Sequence, residues 1–72
     1  MTFYFDNMPT ENQIIEAIER QERAIGVTLT ETNKEYAIQT FDIDVYFEDS
    51  FETYRAFIIQ ENKQYKFVAE KA

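Results

Sequence analysis

Phe41-Asp42-Ile43-Asp44-Val45-Tyr46-Phe47-Glu48-Asp49-Ser50-Phe51-Glu52 is the stretch on which the reading of this chain turns. Phe41, Ile43, Val45 and Phe47 alternate with Asp42, Asp44, Tyr46 and Glu48. Successive side chains of a strand point to opposite faces, so this run predicts a strand that is apolar beneath and acidic above. Asp49 and Glu52 extend the acidic row, and no Lys or Arg falls between Phe41 and Glu52. A turn is expected at Glu48-Asp49-Ser50, with Phe51 returning to the core. Glu52 to Ile59 then reads as the next strand. Phe51, Tyr54 and Ile58 also fit helical spacing, which makes a short helix the competing reading there.

Downstream of this run, Ala56-Phe57-Ile58-Ile59 leads through Gln60-Glu61-Asn62-Lys63 to Gln64-Tyr65-Lys66-Phe67-Val68-Ala69. Asn tolerates the left-handed backbone, so Asn62-Lys63 reads as a two-residue hairpin turn. That turn fixes the register. Ile58 faces Phe67 and Ala56 faces Ala69 on the core side. On the other side Arg55 meets Glu70, Phe57 meets Val68, and Ile59 meets Lys66. Glu70-Lys71-Ala72 is expected to fray.

Upstream, Val27-Thr28-Leu29-Thr30 and Glu35-Tyr36-Ala37-Ile38 flank a similar Asn33-Lys34. By analogy this predicts a first hairpin turning there, with Leu29 opposite Ile38 and Val27 opposite Thr40. The facing then conflicts with Phe41 onward, and one extra residue inverts the facing of all that follows. A bulge is therefore expected near Thr40 to Asp42, unless Ala37 and Gln39 face inward instead.

Earlier still, Thr10-Glu11-Asn12-Gln13 matches a capping box. A helix from about Glu11 to Ala24 follows, with Ile14, Ile15, Ala17, Ile18 and Ile25 as its apolar stripe. Glu16–Arg20 and Glu19–Arg23 are spaced to pair along it. Gly26, the one glycine, is placed to end it with positive φ. Thr2 to Phe5 reads as an edge strand before the break at Asp6-Asn7-Met8-Pro9. The expected fold is α+β: a single helix packed on an antiparallel, mainly meander sheet of four to six strands, in β-α-β-β-β-β order. Residues 1–72 make one domain at most.

Composition narrows function by exclusion. With no Cys or His, neither a disulfide framework nor a Ser–His or Cys–His pair can be built. One glycine cannot make a phosphate-cradling loop. Asp42-x-Asp44 resembles the start of a calcium loop, but the later positions hold Tyr46, Phe47 and Thr53. No enzyme activity, cofactor or metal is expected. The formal charge of −7 disfavours direct contact with nucleic acid or an anionic membrane and favours a protein partner with a basic surface. The opening Met-Thr-Phe-Tyr-Phe-Asp lacks the features of a signal peptide, so a cytoplasmic protein is expected, in the host cytoplasm if viral.

Asp42, Asp44, Tyr46, Glu48, Asp49 and Glu52 are therefore the candidate partner-binding residues, with Tyr4, Tyr36, Tyr54 and Tyr65 as further contact anchors. A row of carboxylates on a strand can occupy a groove that otherwise holds nucleic-acid phosphates. The expectation is a small acidic inhibitor or adaptor, in its sharpest form a nucleic-acid-mimic decoy encoded by a phage or mobile element. Charged residues on an open strand face also discourage aggregation. The alternative is a self-associating assembly module, a homodimer using Phe57, Ile59 and Val68.

Overall fold

The computed structural model describes residues 1–35 and 38–72. The elements are β1 (Thr2–Phe5), α1 (Glu11–Glu22), β2 (Gly26–Glu35), β3 (Ile38–Tyr46), β4 (Phe51–Glu61) and β5 (Gln64–Lys71). They form one helix and a five-stranded antiparallel sheet in the order β1-β5-β4-β3-β2. Four strands meander, and β1 returns to pair with β5 at the far edge, Thr2 opposite Val68 and Phe5 opposite Tyr65. The chain therefore crosses the sheet between its first two strands, and α1 is the crossing.

Helix α1 starts where its side chains answer the unpaired backbone donors of its first turn. Thr10 Oγ1 accepts from the Gln13 amide at 3.1 Å, and the Thr10 amide donates to Gln13 Oε1 at 2.9 Å. Ile14 and Ile18, one turn apart, are buried to 1% and 0% exposure. They pack on Phe41, Ile43, Val45, Tyr54, Ala56, Ile58, Phe67 and Ala69, which completes the core. The helix ends earlier than expected. Arg23, not Gly26, takes the left-handed conformation, at φ 54° and ψ 41°. The Ala24 amide closes the end by donating to the Glu19 carbonyl at 3.1 Å. The reason lies in the sheet: the Ile25 amide already donates to the Tyr46 carbonyl at 2.8 Å, so the chain must leave the helix before it. Ile25 falls outside the apolar stripe and is 72% exposed. Neither Glu16–Arg20 nor Glu19–Arg23 is among the ion pairs formed by the described residues.

The second hairpin has the expected register throughout, from Glu61 opposite Gln64 to Arg55 opposite Glu70. Asn62 and Lys63 both have positive φ, 50° and 67°, as a tight hairpin turn requires. Its end is paired rather than loose: β5 runs to Lys71, and the Ala72 amide donates to the Thr53 carbonyl at 3.0 Å. Residues 51–58 are strand, not helix.

The first hairpin departs from expectation. Val27 lies opposite Val45 and Leu29 opposite Ile43, not Thr40 and Ile38. Asn33 pairs with Thr40 inside the ladder, so no turn occurs at Asn33-Lys34. The irregularity falls in β2, between Glu31 and Asn33, rather than at Thr40 to Asp42. Strand β3 runs unbroken, with Phe41, Ile43 and Val45 all buried. Burying these three sets the register, and it outweighs the turn preference of one Asn. The extra residue, Thr32, is taken up in the edge strand, where its hydroxyl lies 2.8 Å from that of Thr40. Gln39 follows the alternative reading and shares the core-side face with Phe41. It donates to Glu31 Oε2 at 2.6 Å. The expectations for Tyr36 and Ala37 lie outside the described residues.

Candidate interaction face of the sheet

A sheet has two faces, and α1 covers one. Among the described residues no element covers the other. Alternation along each strand fixes which residues this open face displays. From β3 it receives Thr40, Asp42, Asp44 and Tyr46. From β4 it receives Phe51, Thr53, Arg55, Phe57, Ile59 and Glu61.

Cross-strand pairing arranges these residues in rows. Tyr46 stands opposite Phe51, Asp44 opposite Thr53, Asp42 opposite Arg55 and Thr40 opposite Phe57. The rows continue into β5 as Arg55–Glu70, Phe57–Val68 and Ile59–Lys66. The open face thus has an apolar zone at each end and a charged belt between them. At one end the Tyr46 and Phe51 rings lie 5.9 Å apart, tilted by 32°. At the other, Phe57, Ile59 and Val68 are half-buried by their neighbours, and Lys66 Nζ sits 5.9 Å from the Tyr4 ring centroid. An open groove of about 800 Å³ runs over the belt, lined by Thr40, Asp42, Arg55, Phe57 and Glu70 among others.

The predicted acidic row divides in this geometry. Asp42 and Asp44 point to the open face, as the alternation requires. The Asp44 carboxylate accepts from Thr53 Oγ1 at 2.9 Å. Arg55 Nε approaches Asp42 Oδ1 at 4.0 Å, with both side chains largely exposed, a pairing worth little in water. Glu48 and Asp49 are exposed in the β3–β4 turn, which the Phe47 amide closes by donating to the Ser50 carbonyl at 2.7 Å. Phe51 is not a core plug. Strand β4 begins with it opposite Tyr46, which turns it to the open face at 62% exposure.

Glu52 does not share that face. Standing opposite Val45, it lies on the helix side. There its Oε2 accepts from the Tyr54 hydroxyl at 2.7 Å and meets Lys71 Nζ at 3.4 Å. Glu22 Oε1, at the end of α1, is 3.4 Å from the same hydroxyl. The Tyr54 hydrogen bond, reinforced by Lys71, holds the Glu52 carboxyl below its ordinary value against the smaller opposing effect of desolvation. Burial first, then the hydrogen bond and charge of Glu52 and the nearby Glu22, push the Tyr54 phenol well above its usual range. Tyr54 is therefore a buried structural link rather than a contact anchor. Tyr65 packs against the core, Tyr4 is 55% exposed, and Tyr36 lies outside the described residues.

Sequence reading missed two members of the open face, Phe51 as a surface aromatic and Arg55 as the neighbour of Asp42. Both follow once the β3–β4 turn is placed, because Tyr46–Phe51 then closes the hairpin and alternation assigns the rest. Among the described residues, no group of three or more carboxylates is gathered in a way that could hold a metal ion. No helix among them is long and apolar enough to cross a membrane. Comparison with protein-family models, with curated proteins and with solved structures found no match for this chain.

Proposed function

We propose that this chain is a small, non-enzymatic protein-binding inhibitor or adaptor that works through the open face of its sheet. One observation carries the reading: among the described residues one face of the sheet has no second layer, and it mixes exposed aromatics with outward carboxylates. Exposed aromatics such as Phe51 and Tyr46 beside charged groups are the residue types of interaction surfaces. Asp42, Asp44, Glu48 and Asp49 make one end of the face and its adjoining turn strongly acidic. A basic protein surface is the matching partner, and a groove that normally holds nucleic-acid phosphates is its sharpest form. Glu52 is not part of this surface.

The test is charge reversal at the acidic end. Asp44→Lys, Glu48→Lys and Asp49→Lys together should abolish capture of the partner found with the wild-type chain, and wild-type capture should weaken as salt rises. Equal capture by the triple variant, without salt dependence, would remove the acidic reading.

Self-association is the second reading. It is favoured by the apolar pairs Tyr46–Phe51 and Phe57–Val68, which lie at opposite ends of the same uncovered face.

A further inference from the structure

We propose that the open face is covered by a second copy of this chain, in a dimer whose two-fold axis runs parallel to the strands along the β3–β4 seam. The inference rests on the reading of that face as a binding surface and names its first occupant.

The argument is geometric. A two-fold axis lying along the seam between two strands places each residue of one strand over the image of its own cross-strand neighbour. Along the β3–β4 seam, Asp42 meets the second copy's Arg55, and Arg55 meets its Asp42. Tyr46 meets Phe51 and Phe51 meets Tyr46, so two tilted aromatic pairs become one cluster of four rings. Thr40 covers Phe57. The long, exposed Asp42–Arg55 contact within one chain becomes a ring of four alternating charges removed from water, where such pairs fix register.

Other placements fit less well. An axis along β4 itself stacks Arg55 on Arg55 and sets Asp42 against Glu70. An axis along the β4–β5 seam matches Arg55 with Glu70, but it leaves Tyr46, Phe51 and the ten residues of β2 overhanging. The β3–β4 seam leaves only β1, with four residues, uncovered. The molecule measures 38 × 21 Å in its two longer dimensions, so the face that a second copy can cover is at most roughly the 800 Å² per partner of a standard interface, less the β1 edge. Stacked sheets pack about 10 Å apart with strands within about 30° of each other, which is compatible with such an axis.

The dimer buries Asp42 and Asp44 but leaves the acidic turns at the end of the seam open. The β3–β4 turn bridges the seam, so the Glu48-Asp49 turns of both copies come together at one end. A basic partner would meet the two Glu48-Asp49 turns side by side, while Asp42 and Asp44 lie inside the dimer. The repulsion between two chains of charge −7 opposes association, and at about 0.15 M salt it is largely screened only between charges more than about 8 Å apart.

The test is a charge swap, read by sedimentation of the full chain from about 1 µM to about 1 mM in about 0.15 M salt. Wild type should dimerise. Asp42→Arg alone and Arg55→Asp alone should each weaken self-association about tenfold or more, because each sets like charges together. Mixed, the two variants should form a heterodimer, since each then supplies the sign the other lacks. Both side chains are exposed in the monomer, and unchanged circular dichroism and melting would show that the variants fold. A wild type monomeric throughout the range, a dimer indifferent to both changes, or variants that mixing does not rescue would each overturn the proposal. Partner capture is scored separately with Glu48→Lys and Asp49→Lys, which lie in the turn outside the seam, so failure of the dimer is distinguishable from failure of the acidic binding surface.

Discussion

The Tyr54 hydroxyl lies between Glu52 and Glu22 with a single proton to give, and the shorter contact, to Glu52, receives it. Two pH effects follow, with opposite signs. The Glu52 carboxyl is lowered in the folded state. Its contribution to stability is therefore present above its unfolded value, near 4.5, and is lost as pH falls through the folded value. The Tyr54 phenol is raised, so its contribution is present below its ordinary value of 10 and is lost as pH rises through the folded one. Tyr54→Phe removes the donor. It should raise the Glu52 carboxyl towards its ordinary value, followed by NMR titration. Denaturant curves should show the gap between wild type and variant narrowing below about pH 4. An unchanged Glu52 titration would contradict the assignment. None of this was legible in the sequence, where Glu52 reads as one more member of an acidic row. A displaced facing of one residue, at Phe51, hid the partnership.

Elements were legible where a local signal and the burial pattern agree. Asn62-Lys63 and the apolar pairs Ala56–Ala69 and Ile58–Phe67 specify the same hairpin, and the fold adopts it. At Asn33-Lys34 the same local signal opposes the burial of Phe41, Ile43 and Val45, and three core side chains prevail over one turn dipeptide. The helix end misled in the same way: Gly26 is the obvious terminator, but the sheet edge claims the chain at Ile25. A left-handed Lys at position 63 is a conformational cost that the turn retains. Lys63→Gly converts the turn to the favoured Asn-Gly pair and should stabilise the fold by a few tenths to about 1 kcal/mol, measured by urea unfolding. A loss of stability would mean that the Lys side chain contributes more there than its backbone costs.

The whole molecule has unequal faces. The helix side has a closed core, so Ile43→Ala should cost about 2–5 kcal/mol. Phe51 is as apolar, yet it stands 62% exposed on the side without a second layer. At concentrations that keep the chain monomeric, Phe51→Ser should cost no more than about 1 kcal/mol, the loss of its cross-strand pair with Tyr46. Comparable losses from both substitutions would show that the open face is part of the core. The α+β architecture and the outward placement of Asp42 and Asp44 were both readable from alternation. The mixing of those acids with Arg55 and Phe51 was not, because it depends on where the β3–β4 turn falls.

The strand order carries a consequence for synthesis. Strand β1 is made before the other strands, but among the described residues it pairs only with β5, the strand farthest from it in sequence. Throughout elongation the Thr2–Phe5 segment, with its three aromatic residues, must wait unpaired. Sealing that edge closes a loop spanning nearly the whole chain, a slow kind of step in folding. Nascent chains halted before β5 should therefore bind chaperone holdases, and release should coincide with the emergence of Phe67 and Val68.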